Sequence, residues 1–512
     1  MKRQKKRRDM ESKEEEERRE RQRIERAERA EKRDLLRQQQ QRNVKAERRQ
    51  RIDFISSLPD CLLTHILSFL PTRDAVLTSI LSSRWRTLWT LVPVLELDQF
   101  RISRNLNFLD TVSSIWTLRN ATVPLRKFHL HWTSDCDTSY VDTLIQHTVL
   151  RGRVLQELHL CLYNDPNPHL KLHPGLFFST TLVVLKLEGF IHLNPPSDSS
   201  FPALRIMEIG RVITYENCDS LPTLLAACPV LQELNLTVCD SNFCCLEANT
   251  GMLKIIVLIP TLKKLYLYWF LDDWCYTFLH YYILQVNTPA LEQFYFSGLL
   301  AKDVAVENLP NLIKSGLTFE EIENDVSTRD YAKRIWDFMG SLYNVESMEF
   351  SIETAEILCY GSINDLPVFN NLTSLTFGGC IKTCSYMWPA VQLLLCQAPK
   401  LQTLVFELTL NVYNDSSPDN RLEYRLEKWL YVPDCLSPHL TFCYYKGFSG
   451  HEVEMELVRQ VLKEACVLKT MKITFKSHLD SEIKLCARKK LRKLQRRYPT
   501  CQFEFDEGQV DF

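Results

Sequence analysis

The chain has 512 residues, 45% hydrophobic and 24% charged, with a net charge of −1. That length exceeds one ordinary compact domain unless a repeat architecture extends it, and no apolar stretch reaches the length of a membrane span, so no membrane partner is expected. With 14 glycines, no Gly-rich phosphate loop and no G-x-S-x-G elbow, neither a cradled cofactor nor intrinsic catalysis is expected.

The near-zero net charge hides a division. Residues 1–51 carry 21 Lys/Arg against 12 Asp/Glu (+9), and the remainder carries 41 against 51 (−10). Residues 1–50 contain few large apolar residues (Ile24, Leu35, Leu36 and Val44) and cannot form a packed core. Pairs such as Glu25/Arg29 and Glu28/Lys32 are spaced i,i+4, so this head reads as a charged arm, disordered or a single helix. It has no heptad seam. Lys2-Arg-Gln-Lys-Lys-Arg-Arg8 has the composition of a nuclear import signal, with a plain solvated arm as the alternative. Nucleic acid is not an expected partner, because the arm lacks aromatics and Glu14–Glu17 opposes phosphate contact.

Residues 52–98 carry three short helical patterns. Leu58-Pro59-Asp60 opens the first, with Pro59 pre-set in φ for a first turn. Leu62, Leu63, Ile66, Leu67 and Leu70 recur at helical spacing until Pro71. Thr72 reads as the N-cap of a second helix bearing Val76, Leu77, Ile80 and Leu81. A third turn presents Trp85, Leu88 and Trp89. So short a segment cannot bury that much leucine, isoleucine and tryptophan within itself. The surplus faces either the rest of the chain, as a helical cap, or a partner.

From residue 125 one pattern recurs: apolar, two residues, apolar, one residue, apolar. It reads Leu125/Phe128/Leu130, Leu155/Leu158/Leu160, Leu182/Leu185/Leu187, Leu204/Met207/Ile209, Leu231/Leu234/Leu236, Leu262/Leu265/Leu267 and Leu291/Phe294/Phe296. After a poor copy near Leu312/Leu317 it returns at Val345/Met348/Phe350, Leu372/Leu375/Phe377 and Leu401/Leu404/Phe406. The spacing suits leucine-rich repeats, each a short strand with one buried face. Outward positions then line one continuous concave surface. Among them Tyr266, Tyr268 and Tyr295 fall on neighbouring strands, as aromatic anchors of an interface do.

The C-terminal part places Gly447 and Gly450 at a tight turn between a strand and a helix beginning near Glu454. Leu468/Met471/Ile473 repeats the leucine-rich signature. A basic helix follows around Lys489–Arg497. The 18 cysteines are scattered through apolar stretches without C-x-x-C spacing and read as small buried hydrophobes of a reducing compartment. His129-x-His131 and Asp272-Asp273 lack companion ligands, and Cys380/Cys384 are too few for zinc, so no metal is expected.

Residues 53–89, with Leu-Pro-Asp, Ile-Leu-Ser-x-Leu-Pro-Thr and Ser-x-Leu-Ser-x-Arg-Trp, resemble an F-box. The repeats and the C-terminal part are similar to the irregular leucine-rich repeats and the FBD domain of the same large plant F-box family. One departure is visible: the Asn or Cys usual three residues past the third apolar position occurs only as Cys239 and Cys380. The resemblance implies an α/β chain: a charged arm (1–50), a three-helix F-box (52–98), an irregular leucine-rich-repeat solenoid or horseshoe (120–430) and an FBD module (431–512). It further implies that Leu58, Pro59, Leu62, Ile66, Leu67, Pro71, Leu81 and Trp85 contact a Skp-type adaptor, and through it a cullin. The expected role is then substrate recognition for an SCF-type ubiquitin ligase, with the repeats holding a protein target in the nucleus and/or cytoplasm. A non-ligase repeat scaffold or nuclear adaptor is the alternative.

Overall fold

The computed structural model describes residues 18–42, 55–101, 107–133, 138–150, 154–163, 169–239, 253–270, 282–320, 328–359, 366–381, 384–410 and 433–506, apart from 22, 28, 56, 121 and 434. Asp272-Asp273 and the Lys2–Arg8 cluster lie outside them. The described part of 18–42 is helical with every side chain exposed, as its composition requires, and Arg29 reaches Glu25 at 3.9 Å.

The F-box segment forms helices Asp60–Leu67, Thr72–Leu77 and Trp85–Leu88, with single 3₁₀ turns at Thr78–Ile80 and Trp89–Leu91. Pro59 and Pro71 occupy the N-cap positions of the first two helices in extended backbone. Thr72 is therefore not the cap that its residue type suggested. It lies inside the first turn, buried, and its Oγ1 accepts the backbone N–H of Glu96 at 2.7 Å. A small core of Leu63, Leu67, Ala75, Trp85, Leu88 and Val92 holds the helices together. Arg84 staples the third helix to the first: its Nε and Nη2 donate to Asp60 at 2.9 and 2.5 Å, and Nη2 also donates to the Leu58 carbonyl. The Arg-Trp and Leu-Pro-Asp motifs thus owe part of their identity to each other.

The repeats build one parallel sheet of 15 strands that follow one another in chain order, the short back strands set aside. The three apolar positions of each copy are buried and the residues between them face outward, as at Lys127–Trp132 and Val184–Gly189. The poor copy is a full strand, Lys314–Phe319. Its irregularity is Ser315, buried where other repeats place an apolar residue.

Two copies were hidden at the ends of the pattern. Val92/Leu95/Leu97 forms the first strand, Val94–Asp98, inside the segment assigned to the F-box. Leu440/Cys443/Tyr445 begins the continuation of the sheet through strands Phe442–Phe448, Thr470–Phe475 and Gln502–Asp506. The FBD module is thus the end of the solenoid, roofed by helices Glu452–Glu464 and Ser481–Arg497. One hydrophobic core runs from Leu95 to Cys501. Opposite the large sheet, two three-stranded parallel sheets alternate with helices. One contains Leu170–Lys171, Ile191–Leu193 and Thr214–Tyr215; the other contains Leu253–Val257, Tyr282–Asn287 and Asp303–Glu307.

Candidate functional site

Helical spacing on the F-box splits its apolar residues between two sides. Leu67 and Trp85, only 1% and 4% exposed, turn inward and form the small core. That differs from the expectation that they touch an adaptor. At i and i+4 of Leu63, Leu67 follows the buried stripe, and Trp85 closes the core from the third helix. Leu58 packs against the same core, while Pro59 is exposed and Pro71 half-buried. Leu62, Ile66 and Leu81 do face solvent. Phe69, Leu70, Leu77 and Ile80 join them, with Ile80 at 82%, Phe69 at 74% and Leu81 at 64% exposed. Leucine, isoleucine and phenylalanine exposed to this degree are more apolar surface than so small a body ordinarily leaves in solvent. The sequence signal for Phe69 and Ile80 was the apolar pattern running past each helix end.

The F-box body is fixed to the solenoid. Besides the Thr72–Glu96 bond, Arg73 Nη1 donates to the Arg101 carbonyl at 2.6 Å. Arg119 bridges the Val92 and Val123 carbonyls at 3.3 and 2.8 Å. Burial brings the Arg119 guanidinium down to about 10.

A cavity of about 800 Å³ opens where helix Thr72–Leu77 meets the first strands of the outward face; Val76, Leu77, Glu96, His129, His159 and Glu188 line it. His129 and His159 meet edge-on at 5.5 Å. Burial holds both imidazoles below the ordinary histidine value, with Glu157 opposing the effect at His129. His129 has Glu96 at 3.6 Å and His131 has Asp98 at 3.3 Å. No group of three potential ligands that could hold a metal occurs among the described residues. Cys161 is pushed up to about 12 by burial and Glu188, so it stays a thiol.

Farther along the face, register places Tyr266 beside Tyr295 and Tyr268 beside Ser297. The rings of Tyr266 and Tyr295 stack at 5.0 Å and 11°. The three tyrosines predicted to share the surface are therefore brought together there, half-buried. Desolvation raises the phenols of Tyr268 and Tyr295, and the charge of Glu349 adds to it. Glu349 was not singled out from the sequence, although its place four residues after Val345 marks it as outward.

Compared with known families, residues 55–97 match the F-box domain, 141–316 match the LRR repeats described for FBD-associated F-box protein At5g56370, and 428–473 match FBD. The chain is similar to F-box/LRR-repeat protein At4g14103 of Arabidopsis thaliana, 30% identical over 69% of this chain and 91% of that protein. It is also similar to the Arabidopsis thaliana F-box/FBD/LRR-repeat protein At4g26340, 28% identical over 83% and 93% of the two chains. FBD-associated F-box protein At5g27750 of Arabidopsis thaliana is 28% identical over 89% and 99%. An F-box is a module that binds Skp-type adaptors, and F-box/LRR proteins are typically non-catalytic recognition adaptors. By the order of its domains and by similarity along most of its length, the chain belongs to the plant F-box/FBD/leucine-rich-repeat family.

Proposed function

We propose that this chain is the substrate-recognition subunit of an SCF-type ubiquitin ligase. The exposed face of Leu62, Ile66, Phe69, Ile80 and Leu81 docks on a Skp-type adaptor carried by a cullin, and the strand-lined face holds a protein target. The observation that supports this reading is an apolar patch left open on a body that is otherwise well packed and hydrogen-bonded to the solenoid. Burying such a patch supplies about 25 cal/mol per Å² of apolar area. The chain supplies no chemistry of its own in this mechanism. Because the F-box is fixed to the repeats, a target on the outward face is held at a set distance from the transferring subunits, and proximity raises the transfer rate.

The test is capture of this chain by a Skp-type adaptor, beside an Ile80→Glu/Leu81→Glu double variant. Both residues are solvent-facing, so the variant folds, and we expect it to lose the adaptor while the wild type retains it. Capture of neither protein overturns the reading and leaves a repeat scaffold, and equal capture of both overturns the assignment of the docking face.

A further inference from the structure

The outward face carries a recess beside the tyrosines. Gly316 lies in register between Tyr295 and Glu349. A Cβ at Gly316 would fall 2.4 Å from Cδ1 of Tyr295, so the ring leans over the glycine backbone toward the Glu349 strand. On the other side, Gly378 leaves the Glu349 Oε1 3.8 Å from where its own side chain would begin. The two glycines thus thin the side-chain cover around one carboxylate, whose register partner on the far strand is Thr376, and Gly316 lets the Tyr295 ring lean toward it. Glu349 is exposed and makes no hydrogen bond or ion pair with any described residue. Lys314, one strand away in register with Ser347, does not pair with it. An unpaired carboxylate beside π faces attracts a positive charge from both, because the ring quadrupole and the anion act with the same sign. Ring burial first, and the nearby Glu349 charge with it, raise the Tyr295 and Tyr268 phenols above their ordinary value.

We propose that Tyr268, Tyr295 and Glu349 form a receptor site for a cationic side chain, arginine or lysine, presented by the protein that this face holds. The inference rests on the reading that the repeats bind a protein target, and it names the chemistry of that target: a basic residue at the centre of the contact. Arginine fits best, since its planar guanidinium stacks on an aromatic ring while donating to a carboxylate.

The experiment is selection of random linear peptides displayed on phage against the immobilised full-length chain. On the wild type, enriched peptides carry Arg or Lys at a fixed position. Glu349→Gln and Tyr295→Leu lower that enrichment by about tenfold, and Glu349→Arg replaces the basic residue by Asp or Glu. A wild-type selection without a fixed basic residue, no selection at all, or an unchanged consensus with Glu349→Gln overturns the proposal. Glu349 is exposed, so its two variants keep the wild-type melting curve; Tyr295 is half-buried against Tyr266, and the melting curve of Tyr295→Leu is measured beside its selection. Adaptor capture through the F-box is measured on the same proteins, and its loss would count against the ligase reading instead of this one.

Discussion

A glycine two residues past the third apolar position recurs in three repeats, at Gly189, Gly298 and Gly379, with φ of 92°, 127° and 105°. L side chains are strained there. At Gly189 the neighbouring repeat adds a second constraint, since a Cβ would lie 1.8 Å from the Leu162 carbonyl oxygen. That carbonyl accepts the N–H of Phe190 at 2.8 Å, so moving it breaks a bond between repeats. Gly189→Ala is expected to destabilise by about 2 kcal/mol or more, seen as a lower urea midpoint. The strands that carry these glycines were legible in the leucine spacing. The glycine itself was not, because its constraint comes from a carbonyl 27 positions earlier in the chain.

At the scale of elements, adjacent strands couple side chains that the sequence keeps far apart. His129 and His159, on strands Lys127–Trp132 and Glu157–Leu162, are register partners on the outward face. Desolvation lowers both below the ordinary 6.5. The unfolded chain then binds more protons than the folded one, so stability is whole above about 6.5 and is lost as pH falls through 6.5 toward the lowered values. The melting temperature is expected to drop between about pH 7.5 and 5.5, and a His129→Gln/His159→Gln double variant is expected to show a smaller drop. An equal drop in both proteins would assign the effect elsewhere. The F-box helices show the limit of periodicity. It identified which residues are apolar, but Leu67 and Trp85 proved interior and Ile80 exposed, because a third helix pinned by Arg84 to Asp60 decides which stripe is covered.

For the whole molecule, each strand depends on the next for its backbone partners, and an uncapped end is an aggregation template. Strand Phe442–Phe448 covers Thr403–Leu410. Ending the chain at residue 410 would expose that edge, with the sequence Thr-Leu-Val-Phe-Glu-Leu-Thr-Leu. Such a truncation is expected to lose soluble monomer on size exclusion, whereas a chain in which the FBD region were an independent appendage would stay monomeric.

The architecture was largely legible in the chain. The leucine spacing counted the strands of the large sheet from 125 to 406, though not the short back strands, and the Leu-Pro-Asp and Arg-Trp motifs located the F-box, because burial of one face per strand or helix is written locally in alternation and helical period. Contacts between distant segments settled the rest: the repeat hidden at Val92/Leu95/Leu97, the merging of the FBD region into the same sheet, the inward turn of Leu67 and Trp85, and the carboxylate of Glu349 standing open beside Gly316 and near Gly378. Those outcomes depend on which strand lies beside which, and register between neighbouring repeats is set by contacts across some 20–40 residues of chain, beyond the reach of any local pattern.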